Sequence, residues 1–157
     1  MNSKLLKWTS AAVLACASSA WAEPQWLVTP DDMRQEAAWV RQNPGATQFR
    51  TRAFTPGSPE IVVVSPASLT EPLKAPFPIR VSFKPKEGAA VKPETFRALY
   101  GFMKIDITER LTGRAKVGAE GIHVESANIP AGSHRLFLRV SDDRDREAET
   151  EIRFTVQ

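Results

Sequence analysis

From Glu60 to Gln157 the chain alternates apolar and polar residues in short runs divided by turn residues. In "PFPIRVSF" Ile79, Val81 and Phe83 share one side and Arg80 and Ser82 the other, the period of a strand with one buried face. "HRLFLRV" sets Leu136, Leu138 and Val140 against Arg135, Phe137 and Arg139, and "EIRFTV" repeats the pattern with Ile152, Phe154 and Val156. Strands are predicted at 60–64, 77–83, 95–101, 103–108, 121–126, 134–141 and 150–156. Seven short strands with one apolar face, and no helical run between them, predict an all-β, seven-stranded β-sandwich over residues 59–157.

Ahead of it, "WLVTPDDMRQEAAWVRQNPG" has helical punctuation. Thr29 caps, Pro30 suits the first turn, Asp31 and Asp32 favour the positive end of the helix dipole, and "NPG" stops it. Met33, Ala37 and Val40 form a narrow apolar stripe flanked by Trp39. Three turns are marginal alone, so the helix either docks on the sandwich or meets a partner. Residues 23–58 thus read as helix plus connector, with the domain boundary at the turn-rich "TPGSP". Within the connector, "FRTRAF" sets Arg50 and Arg52 on one side of an extended segment, either a grip for an anionic group or a solvated edge that discourages pairing.

Residues 1–22 have the three parts of a bacterial-type export signal: Lys4 and Lys7, a modest apolar stretch, and the small-residue site "AWA" with Ala20 and Ala22. The apolar stretch is too short to span a bilayer, and nothing later in the chain is long and apolar enough to do so. The one cysteine, Cys16, follows "VLA" and is the candidate lipidation site of a membrane-anchored lipoprotein. The "AWA" pattern favours cleavage after Ala22 and a periplasmic or secreted product. Either way the folded body has no thiol, so it has neither a thiol nucleophile nor a thiolate metal site, and packing must supply its stability.

Removing the signal also changes the charge. The whole chain has 21 basic and 18 acidic residues, but Lys4 and Lys7 leave while every acid stays, so 19 basic face 18 acidic and the balance is +1. A near-neutral body argues against nucleic acid as partner. Export argues against nucleotide cofactors, and no cofactor is expected.

The segment 59–157 resembles bacterial immunoglobulin-like domains of the Big or fibronectin-III type. The resemblance rests on "PEIVVVSP", "PFPIRVSF" and the ending "IPAGSHRLFLRVSDDRDREAETEIRFTV", with its Pro-x-Gly turn, long strand, Asp-containing hairpin and final strand. It implies an immunoglobulin-like β-sandwich and nothing about activity. The segment lacks the bridging cysteine pair and a tryptophan, and His134 stands where such domains often place a tyrosine. A local backbone hydrogen bond is expected of it.

Candidate chemistry is sparse. Asp143, Asp145 and Glu147 alternate like calcium ligands, but the run lacks the required glycine and Arg144 and Arg146 intervene; a hairpin with Asp145 at a glycine-like position is preferred. His123 and His134 fall on consecutive strands of opposite sheets and are poorly placed to share a metal ion. Asp106 and Glu109 read as a solvated strand end rather than an acid and base pair, and no nucleophile elbow or triad is present. The resulting expectation is a non-catalytic cell-envelope module that binds another envelope protein or a surface polymer. Trp26, Met33, Trp39, Val40, Arg50 and Arg52 are its candidate contacts, because aromatic, Met and Arg side chains are enriched at interfaces. The alternative is a periplasmic carrier of a metal or small ligand.

Overall fold

The computed structural model describes residues 25–45 and 55–157. The signal segment with Cys16, Ala20 and Ala22, and the connector positions Arg50 and Arg52, lie outside the described residues. The elements in chain order are α1 (Pro30–Gln42), β1 (Glu60–Ser65), β2 (Phe77–Lys84), β3 (Val91–Tyr100), β4 (Ile105–Asp106), α2 (Thr108–Thr112), β5 (Ala115–Gly118), β6 (Gly121–Ala127), β7 (Gly132–Asp142) and β8 (Glu147–Val156).

The strands form two antiparallel sheets, β1-β2-β6-β5 and β4-β3-β7-β8, packed as a β-sandwich. With β4 counted as an extra strand beside β3, this is the immunoglobulin order, A-B-E-D against C-F-G. The period-two pattern sets the facing. Ile79, Val81 and Phe83 are buried between the sheets while Arg80 is exposed, and Leu136, Leu138, Val140, Ile152, Phe154 and Val156 line the opposing inner face. Aromatic rings join the layers, Phe77 edge-on to Phe154 at 5.9 Å and Phe83 tilted on Phe96 at 6.0 Å.

Two elements depart from the predicted seven. "MKIDIT" yields only the two-residue β4, because Ile107 and Leu111, spaced as on a helix, both enter the core through α2. β5 is an additional strand with a weak signal: "AKVG" has one large apolar residue, and Val117 is 36% exposed at the sheet edge. β3 also starts earlier than predicted, through Pro93. Proline is tolerated there because β4 pairs only with Leu99 and Tyr100, leaving the first half of β3 at an edge.

The helix forms as its punctuation predicts. The Thr29 hydroxyl accepts from the Asp32 backbone N–H at 3.1 Å and the Asp32 carboxylate accepts from the Thr29 N–H at 2.8 Å, a reciprocal capping box. Its inward face, however, is rotated from the predicted stripe. Ala37 is exposed, while Asp32, Met33, Glu36, Trp39 and Val40 turn toward the sandwich. The entry to the helix is the anchor: Leu27 and Val28 are 1% and 0% exposed and belong to the same hydrophobic cluster as the sheets. Leu27 N–H also donates to the Asn128 carbonyl at 2.9 Å.

Candidate functional site

α1 sits on the end of the β4-β3-β7-β8 sheet through three contacts of different kinds. Arg110 of α2 forms an ion pair with Asp32, which is almost wholly buried. Burial raises the Asp32 carboxyl, but the hydrogen bonds from Arg110 and Thr29 more than reverse it and hold it below the usual carboxylate range. Further along, Glu36 accepts from the backbone N–H groups of Phe102 at 2.6 Å and Met103 at 3.2 Å. Gly101 makes room for this grip. Its φ is +69°, and a Cβ there would collide with the Glu36 carboxylate. Trp39 then stacks on Phe102 with ring centroids 6.4 Å apart.

Beside this clamp a cleft of about 450 Å³ remains open. Val40 of α1, Leu69, Tyr100 and Phe154 supply apolar walls, and the exposed Ser133, Arg153 and Thr155 supply hydrogen-bonding groups. Arg135 also lines it, with its guanidinium 3.9 Å over the Phe102 ring and its Nε 3.1 Å from Glu151. Its Nη1 is buried without a hydrogen-bond partner among the described residues. An apolar recess with a few convergent polar groups is the usual form of a ligand site.

Two titratable groups at the cleft are locked in place. His134 Nε2 lies 2.8 Å from the Pro130 carbonyl, which can only accept, so the proton is on Nε2 and Nδ1 accepts from the Tyr100 hydroxyl at 3.3 Å. Burial favours that neutral ring and pushes the His134 pKa below its ordinary value. Burial, with the nearby Glu36 and Asp32 charges, pushes the Tyr100 pKa up to about 12. His134 therefore bonds to backbone a few residues upstream, as the tyrosine of an immunoglobulin-type corner does. Its depressed pKa gives a sign: stability from the neutral ring is complete above about pH 6.5 and is lost as pH falls below that, because the unfolded chain then binds the proton more readily. Urea unfolding should show stability falling from pH 7 to pH 5 in the parent and staying nearly level in His134→Tyr; equal slopes would remove the histidine as the cause.

The other candidates separate. His123 is on β6 and His134 on β7, in opposite sheets as expected. Asp106 and Glu109 are exposed, and Asp106 accepts from the Thr108 N–H at 2.8 Å, which fixes the entry to α2. In the β7–β8 hairpin Asp145 has φ +56°, the glycine-like position expected of it. Asp142 rather than the alternating acids organises that turn: fully buried, it accepts from the backbone N–H groups of Arg144 and Arg146 at 2.9 Å each and from Arg146 Nε at 2.8 Å. Burial opposes its ionisation, but these bonds hold its carboxyl below the usual range. Among the described residues no group of three or more His, Cys, Asp and Glu side chains is placed to hold a metal ion.

Of the expected partner contacts, Met33 packs against the core, Trp39 on Phe102, Val40 into the cleft, and Trp26 is half-buried. The helix face thus turns largely toward its own sandwich. Sequence reading missed Glu36 and Tyr100. Glu36 carries a usable signal, lying four residues after Asp32 and three after Met33 on the docking side. Tyr100 carries none, because its partner is 34 residues away.

No family model matches the chain, and no curated protein does. Among solved structures it is similar to CopC from Methylosinus trichosporium OB3b, with 17% identity and a TM-score of 0.40, over 62% of this chain and 94% of that one. At that level of similarity, the chain's own residues must carry any functional reading. Among the described residues no helix is long and apolar enough to cross a membrane.

Proposed function

We propose that this protein is an exported, non-catalytic binding protein of the cell envelope, of the bacterial immunoglobulin-like kind, that holds a small organic ligand in the cleft beside α1. The observation that carries the reading is the cleft itself, about 450 Å³ and bounded by a helix that Glu36 pins to the 101–103 turn. This is the small-ligand form of the carrier alternative. Its walls of Val40, Leu69, Tyr100 and Phe154 suit an apolar body, and Ser133, Thr155 and Arg153 suit an acceptor or anionic group. Support for a non-catalytic role comes from the walls: the Tyr100 hydroxyl, its pKa pushed up to about 12, bonds to a His134 ring that Pro130 also holds, and Glu36 is engaged by backbone N–H groups. The export pattern of residues 1–22 supports the envelope location.

Phenylacetate and phenethylamine, similar in shape and opposite in charge, make a direct test by amide-shift titration. Phenylacetate should move the signals of Gly101, Ser133, Arg153 and Thr155, more strongly than the amine does. Val40→Trp, which fills the cleft, should keep the melting temperature and lose the response. Absence of shifts, equal response to both compounds, or a response that survives Val40→Trp would each remove the cleft as the site.

A further inference from the structure

The two outer faces of the sandwich handle charge in opposite ways. On the β4-β3-β7-β8 sheet, basic and acidic side chains interlock: Arg139 reaches Glu149 at 2.6 Å and Glu147 at 3.3 Å, Lys104 reaches Glu149 at 3.2 Å, and Arg153 reaches Glu151 at 2.5 Å. On the β1-β2-β6-β5 sheet, the register places Arg80 opposite His123 and His123 opposite Lys116. These three side chains form one row across β2, β6 and β5, on the face turned away from the core.

Arg80 and Lys116 are exposed, His123 is partly so, and none of the three has an ion-pair partner among the described residues. Register sets an acid opposite a cation at one corner of the face, where Glu60 stands opposite Lys84. Glu125 follows two residues after His123 on β6, exposed and also outside any ion pair among the described residues. Arg80 and Lys116 thus flank the His123 ring from its two neighbouring strands, and no acid stands in register with either to form a favourable cross-strand pair. Beside the row, at the irregularity between Val63 and Ser65 of β1, Val64 is 46% exposed, the most exposed large apolar side chain among the described residues.

We propose that this face docks an acidic segment of a partner protein, with carboxylates over the Arg80–His123–Lys116 row and an apolar side chain against Val64. Charge complementarity selects an anionic partner. The valine selects protein over an anionic sugar or phosphate polymer, because such a polymer has no large apolar side chain to cover it. Strands about 4.8 Å apart put the outer Cα atoms of the row roughly 10 Å from each other, within reach of two carboxylates on one extended or helical segment. This surface lies on the opposite sheet from the cleft, so the two sites stand or fall separately.

The test is an amide-shift titration of the full mature chain at low salt with a short synthetic peptide of glutamates around a central valine. Shifts should gather at Arg80, Lys116, His123 and Val64. Affinity should drop about tenfold or more in the double variant Arg80→Glu, Lys116→Glu, and stay unchanged in Arg153→Glu on the other sheet. Replacing the central valine of the peptide by serine should also weaken binding. The proposal is overturned by shifts that avoid the row, by affinity unchanged in the double variant, by equal loss in Arg153→Glu, or by polygalacturonate binding the same row more tightly than the peptide does.

Discussion

Deleting residues 23–45 leaves a chain that does not hold its native fold. The reason lies in two side chains at the entry to α1: Leu27 and Val28 fill the sandwich core at 1% and 0% exposure. Burying side chains of this size contributes about 1.5–3 kcal/mol each, and their loss also opens a cavity among the strands. Removing α1 further leaves Arg110 without Asp32, and the 101–103 turn without the Glu36 carboxylate that binds its N–H groups. Together these losses approach the about 5–15 kcal/mol by which whole domains are stable. Amide-shift dispersion of the truncated protein checks this directly. A gentler pair separates core from surface: Leu27→Ala should cost about 2–5 kcal/mol in urea unfolding, while exposed Ala37→Ser should cost only a few tenths. A truncated chain with native dispersion and an unchanged melting temperature would mean that the helix and its entry are not part of the core.

Val81→Asp should be comparably severe. Val81 is 3% exposed on the inner face of β2, with Val63 and Ile122 as its register neighbours on β1 and β6. A carboxylate there would sit in the hydrophobic cluster among the described residues, and an unpaired charge in such a site costs about 4 kcal/mol or more. Arg80→Asp, one residue away but facing water, should stay within about 0.5 kcal/mol of the parent. Chemical unfolding of both variants tests the facing of the strand. Similar losses at the two positions would mean that the alternation has been assigned to the wrong sides. The same silence at Arg80 is what lets charge reversal probe docking without disturbing the fold.

Strand facing was legible because a period of two is local: Ile79, Val81 and Phe83 need no knowledge of what covers them. Helix punctuation was legible for the same reason, since Thr29 and Asp32 satisfy each other within one turn. α2 and β5 were not, because five- and four-residue elements are too short for a period to stand out. The docking side of α1 was misread by about one position. An apolar stripe through Ala37 was expected, yet the actual face includes the charged Asp32 and Glu36, whose partners Arg110, Phe102 and Met103 come from distant sequence. The candidate site was least legible, because its walls come from α1, the 66–76 loop and three strands.

By itself, then, the sequence determined what depends on neighbours along the chain: the all-β class, the alternating faces, the capped helix, the positive-φ position at Asp145 and the separation of the two histidines onto consecutive strands. Tertiary structure alone decided what depends on residues brought together from afar. It turned the helix entry into core, made His134 and Tyr100 a hydrogen-bonded pair, opened a cleft beside Glu36, and aligned Arg80, His123 and Lys116 in one row. The physical reason is range. Dihedral preferences and capping bonds act within a turn or a strand, whereas burial and charge pairing act between elements whose register no single segment encodes.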